Sequence, residues 1–141
     1  MASEDSLICP SAQPKMRRVR LIGVLEYGRN EGPRVAYINE DVVADPALLS
    51  KAFPASATEV FRLAGTCETT RCSHYDGSQC RLVKRIVNLL EPVVDQLPRC
   101  MVRAECRWFR QEGVDACVRC PQVITESWPH SSAYARAATP G

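Results

Sequence analysis

Eight cysteines in a chain of 141 residues, seven of them between Cys67 and Cys120, constrain the fold more than anything else in the sequence. Such a density reads either as a disulfide framework or as a set of metal ligands, and the compartment decides between them. The segment Met1 to Pro14 is acidic and interrupted by two prolines, so it lacks the basic start and apolar run of a secretory signal. No stretch approaches the ~18 apolar residues of a membrane span. The expectation is a cytoplasmic protein whose thiols stay reduced, in which clustered cysteines act as ligands or redox groups.

The candidate ligands form two groups. The first is Cys67-x4-Cys72-x-His74-x5-Cys80, in polar sequence with a turn at Asp76 and Gly77. The second is Cys100-x5-Cys106-x10-Cys117-x2-Cys120, followed directly by Pro121. Together they offer seven thiols and one imidazole, enough for one four-ligand site with spares or for two complete sites. Structural zinc usually takes two short ligand pairs, each a tight knuckle round a small tetrahedral ion. This chain has one such pair, Cys117 and Cys120. The other spacings are irregular, which suits the larger body of an iron–sulfur cluster approached from separate loops, and a closing Cys-Pro also ends the bacterial ferredoxin run. The step Cys100-x5-Cys106 with the later Cys120-Pro121 is similar to a stretch in the small subunit of nickel–iron hydrogenases, an analogy of spacing and not of membership. The expected cofactor is one or two iron–sulfur clusters of the 4Fe-4S type, with zinc as the alternative. Cys80 opens a helix and meets the positive end of its dipole, which favours the thiolate. For His74 a place on the surface of the loop is as good a reading as ligation. Cys9 falls in a segment that reads as a tail and is left out of both groups.

Around these groups the pattern is that of an α+β protein. Val19, Leu21, Gly23 and Leu25 alternate with Arg20, Ile22 and Val24, the period of a strand with one dry side. Gly28, Asn30, Gly32 and Pro33 supply a turn, and Arg34 to Ile38 alternates again as the returning strand of a hairpin. Asp45 before Pro46 predicts a short helix as far as Phe53, and Glu59 to Leu63 reads as a third strand. Apolar residues recur at spacings of three and four from Leu82 to Leu97, which predicts one long amphipathic helix, kinked or restarted at Pro92 and ended by Pro98, although a sharp reversal after Leu90 would instead bring Cys100 back towards Cys80. Ala104 to Glu112 reads as a further helix stopped by Gly113, and Asp115 to Cys120 as a helical turn. The expected organisation is a tail over 1–16, a hairpin and helix region over 17–63, a cysteine-rich region over 64–126 and a tail over 127–141. The N-terminal hairpin or small antiparallel sheet would pack on the long helix, and metal would staple the C-terminal half.

A net charge of +2 gives no strong nucleic-acid signal. Arg103, Arg107, Arg110 and Arg119 read as a solvated face that would also suit an anionic thiolate cluster, with Trp108 and Phe109 as a roof over Cys106. Two histidines and no G-x-x-x-x-G-K or G-x-G-x-x-G loop leave neither a Ser-His-Asp arrangement nor a phosphate cradle. An independent enzyme is not expected, and no residue is assigned a catalytic role. The expected function is electron transfer or redox sensing with a redox partner protein. The rival is a zinc-stabilised interaction module without redox activity.

Overall fold

Four antiparallel strands form the centre of the fold in the order β1-β4-β2-β3, with β1 at Ile8–Cys9, β2 at Arg20–Glu26, β3 at Arg34–Val43 and β4 at Phe61–Thr66. The chain is seen in a computed structural model that describes residues 6–27 and 33–125. Strands β2 and β3 are the expected hairpin, and the glycine-rich tip over 28–32 lies outside the described residues, as does the expected C-terminal tail over 127–141.

The hairpin carries a bulge between Leu21 and Gly23, where the register shifts against both neighbouring strands. The alternation therefore changes phase in mid-strand. Leu21 packs on one side of the sheet with Ala12, Phe61 and Leu63, while Ile22 packs on the other with Ala64 and Val102. Gly23 is required at this point, because a Cβ there would lie 2.5 Å from Val35 Cγ1 and 2.9 Å from the Ala36 carbonyl oxygen. The sheet is consequently dry on both faces.

Two short helices close the first face. Helix α1, Pro46–Leu49, is capped by the Asp45 carboxylate, which accepts from the Leu48 N–H at 2.8 Å, and continues as a 3-10 turn over Ser50–Ala52. Helix α2, Ala57–Val60, occupies positions that sequence assigns to the start of the third strand. It forms because the Glu59 carboxylate accepts from the Ser56 N–H at 2.9 Å, one half of a capping box, and the strand begins only at Phe61.

The segment that reads as an N-terminal tail contributes to the core between Leu7 and Ala12. Leu7, Pro10 and Ala12 are buried, Cys9 pairs with Gly65 of β4, and the Ala12 N–H donates to the Leu63 carbonyl at 2.9 Å.

Helices α3 (Arg81–Leu89), α4 (Arg107–Glu112) and α5 (Val114–Cys117) belong to the cysteine-rich half. None is long, and the expected long amphipathic helix as far as Leu97 does not form. Helix α3 spans 9 residues and leaves helical geometry at Leu90 (φ −106°, ψ 149°). The physical reason is Pro92, which has no N–H to give and disfavours helical geometry in the residue before it. The freed groups find partners across the fold: Leu90 O accepts from Arg119 Nε at 2.7 Å, and the Val93 N–H donates to Val118 O at 2.9 Å. The chain reverses there, leaving Val94 and Leu97 exposed.

The picture of a C-terminal half stapled by metal is also corrected. Among the described residues no group of three or more His, Cys, Asp or Glu side chains is gathered to hold a metal ion. What holds this half together in the structure is an apolar cluster of Val83, Ile86, Leu90, Trp108, Ala116 and Val123. A mixed α+β fold remains the broad description. Among the described residues no helix is long and apolar enough to cross a membrane.

Candidate functional site

The eight cysteines, all free thiols, line two cavities that share Trp108 as a wall. The first cavity, about 320 Å³, is lined by Cys9, Cys67, Cys72 and Cys80. The second, about 20 Å³, is lined by Cys100, Cys106, Cys117 and Cys120.

Each thiol of the first cavity is delivered by a different piece of backbone. Cys9 is on β1. Cys67 follows β4 directly, and its N–H donates to the Leu7 carbonyl at 3.0 Å, which ties the two segments together. Cys72 caps the 3-10 turn Thr69–Arg71, and Cys80 is the N-cap of α3. The Cys80 backbone is held from both sides by Gln111, whose Oε1 accepts from its N–H at 2.9 Å and whose Nε2 donates to its carbonyl at 2.8 Å. Between Cys72 and Cys80 the loop is shaped by Asp76, whose Oδ1 accepts from the Ser78 N–H at 2.9 Å and the Gln79 N–H at 2.7 Å.

In the second cavity Cys100 follows the reversal after Leu90, Cys106 is the N-cap of α4, Cys117 ends α5 and Cys120 opens the 3-10 turn Cys120–Gln122. The reversal is what returns Cys100 to the others. All four members of the second sequence group thus border one cavity, and Cys67, Cys72 and Cys80 of the first border the other, but among the described residues neither set is drawn close enough to form a metal-binding group.

His74 also borders the first cavity, but its Nδ1 lies 2.6 Å from Arg85 Nη2. Arginine has no acceptor, so Nδ1 supplies the lone pair and the proton sits on Nε2. A neutral imidazole has one lone-pair nitrogen, and Arg85 occupies it. Burial and the Arg85 charge both hold the His74 pKa below its ordinary value.

Three guanidinium groups serve the cavities. Arg62, the second residue of β4, is fully buried; its Nη2 donates to Cys120 Sγ at 3.0 Å, and its Nη1 donates to the carbonyls of Cys120 (2.9 Å) and Val123 (3.0 Å). Nε donates to the Pro10 carbonyl, and the group lies over the Trp108 ring at 5.5 Å. Arg107 is buried as well; its Nε donates to Cys67 Sγ at 3.2 Å and its guanidinium covers the Tyr75 ring at 5.3 Å. Arg103 borders the second cavity, and its buried Nε has no hydrogen-bond partner among the described residues. The expected solvated arginine face is therefore partly an inward one.

Burial pushes the thiols of Cys9, Cys80, Cys100, Cys106 and Cys117 up, Cys106 to about 12. For Cys117 the Arg103 guanidinium works against that rise. Burial alone would depress the Arg62 guanidinium, and the neighbouring Cys120 and Tyr37 more than offset it. These are groups whose charged forms need a counter-charge close by.

Three features escape the sequence reading. Arg62 stands alone as a charge inside the run Phe61 to Thr66, a pattern that signals a buried ion. Arg107 is among the arginines expected to suit a thiolate cluster, but its burial and its bond to Cys67 carry no such mark. Cys9 precedes Pro10 just as Cys120 precedes Pro121, a repeated Cys-Pro step that could have connected it to the other thiols. No known protein family, curated protein or solved structure matches the chain.

Proposed function

We propose that the chain is an iron–sulfur protein that transfers electrons to, or senses redox state with, a protein partner in the cytoplasm. The observation that carries this reading is Arg62. A guanidinium stays charged at every accessible pH, and a buried charge without a counter-ion costs several kcal/mol. Among the described residues no carboxylate pairs with Arg62, and the group that faces it is the Cys120 sulfur. A thiolate-ligated cluster carries net negative charge and would supply the missing counter-ion.

The donor set fits that group. Cys100, Cys106, Cys117 and Cys120 would hold one cluster, and the unpartnered Arg103 Nε gives it a ready hydrogen-bond donor. The second cavity now has room for roughly one water, so the thiols must yield to admit a cluster. The half-buried Cys100, Cys117 and Cys120 have the freedom to do so by rotation about χ1. Such a cluster supplies one-electron chemistry at a potential set by its surroundings. The protein holds it, excludes water with Trp108 and Ile22, and offsets its charge with Arg62 and Arg103.

A zinc-stabilised interaction module is the second reading. The small size of the second cavity and the Cys117-x2-Cys120 knuckle favour it, because a tetrahedral ion needs less room than a cluster. Anaerobic purification followed by iron, sulfide and zinc analysis tests both. Brown protein with iron and acid-labile sulfide supports the cluster. Colourless protein with bound zinc and no sulfide overturns it.

A further inference from the structure

We propose that Cys9, and not His74, completes the ligand set of the first cavity, so that Cys9, Cys67, Cys72 and Cys80 hold a second, all-thiolate iron–sulfur cluster on the other side of Trp108. The assignment rests on the iron–sulfur reading above and adds a site and a ligand to it.

Four observations carry it. The four thiols border one cavity of about 320 Å³, which has the volume for a polynuclear cluster that the second cavity lacks, although the thiols must converge to ligate it. Cys9 is fixed there by its backbone: it pairs with Gly65, its neighbour Ile8 bridges to Cys106, and Ser11 Oγ meets Thr125 Oγ1 at 2.6 Å. The competing ligand is occupied, since the Nδ1 lone pair of His74 is held by Arg85. Buried Arg107 brings a positive charge to Cys67 Sγ, as Arg62 does to Cys120 Sγ in the other cavity.

The two sites therefore follow one plan, with four thiols, a buried guanidinium at one sulfur and a shared indole wall. They are also close along the chain. Cys9 borders the first cavity and Pro10 the second, while Cys106 borders the second and Arg107 the first. On loading from a preformed cluster, each cysteine thiol replaces one of the cluster's terminal thiolate ligands and its proton leaves on the displaced thiol, so the oxidation state of the cluster is unchanged and no oxidant is needed.

The test loads the full chain anaerobically with a preformed 4Fe-4S cluster in its 2+ state, carrying exchangeable thiolate ligands, and counts iron and sulfide per chain, in the wild type, Cys9→Ser, His74→Gln and Cys106→Ser. Cys9→Ser is expected to lose about half of the iron and sulfide, and His74→Gln to lose none. In a Cys106→Ser background, adding Cys9→Ser removes the remaining iron, and adding His74→Gln does not. Circular dichroism of the metal-free variants checks that the serine at position 9 keeps the fold, since its backbone pairing with Gly65 needs no thiol. Full iron in a loaded Cys9→Ser protein, or loss of half the iron in His74→Gln, overturns the assignment while leaving the iron–sulfur reading intact. A wild-type chain that takes up no iron and sulfide overturns both.

Discussion

The guanidinium of Arg62 donates to the sulfur of Cys120 at 3.0 Å from a position with no solvent exposure. The same side chain binds the carbonyls of Pro10, Cys120 and Val123, so it joins the N-terminal segment to the end of the cysteine-rich half. It is both a structural clamp and a fixed positive charge at one sulfur of the second cavity.

Replacing Arg62 by Met is expected to lower the reduction potential of a cluster held there. Reduction adds negative charge, and the reduced form loses a positive neighbour, at about 59 mV for each 1.4 kcal/mol of lost attraction. Arg62→Lys keeps the charge and is expected to shift the potential less, although it cannot reproduce the forked contacts. Redox titration followed by electron paramagnetic resonance reads both. Equal potentials in the wild type and Arg62→Met would remove Arg62 from the electrostatics of the site.

Trp108 is expected to matter to stability as well as to the site. It is buried between Ile86, Ala116 and Arg62 and separates the two cavities, so Trp108→Ala should cost about 3–5 kcal/mol. Urea denaturation of the metal-free protein measures this directly, and a cost below about 1 kcal/mol would mean that the neighbouring side chains collapse into the space.

Gly23 and Gly77 make a contrasting pair. Gly23→Ala places a methyl 2.9 Å from the Ala36 backbone oxygen, which cannot step aside, and a loss of about 1–3 kcal/mol is expected. At Gly77, where φ is +104° and nothing lies within 4 Å, the cost of alanine is backbone strain alone, about 1–2 kcal/mol. Comparing Ala with Asn separates the two mechanisms. Asn tolerates the left-handed region and should relieve part of the loss at position 77, but it should worsen the loss at position 23.

The Asp76 turn gives the first cavity an acid limit. Backbone N–H groups of Gln79 and Ser78 hold its carboxyl below the usual carboxylate range. The unfolded chain therefore binds the proton first as pH falls, so the contribution is complete above the unfolded pKa of about 3.9 and is lost as pH falls through the lower folded value. Hydrogen exchange at the Gln79 amide should accelerate across that window relative to its intrinsic acid rate, and Asp76→Asn should flatten the response. An unchanged profile in Asp76→Asn would assign the acid response to another group.

Some of this protein was determined by the sequence alone. The hairpin followed from period-2 alternation, the cap at Asp45 from an acidic residue before proline, and the grouping of Cys100, Cys106, Cys117 and Cys120 from their proximity along the chain. These are local signals, each contained within about twenty residues or fewer. Tertiary structure decided the rest. The apolar rhythm from Leu82 to Leu97 is helical as a pattern, but Pro92 ends the helix at Leu89, and the freed backbone groups find partners at Arg119 and Val118, more than twenty residues away along the chain. The strand pattern of Val19 to Leu25 carries no mark of the bulge that turns Leu21 and Ile22 to opposite faces of the sheet. Cys9 joins Cys67 only because β1 adds to the edge of β4, a pairing of backbone groups that leaves almost no trace in side-chain composition.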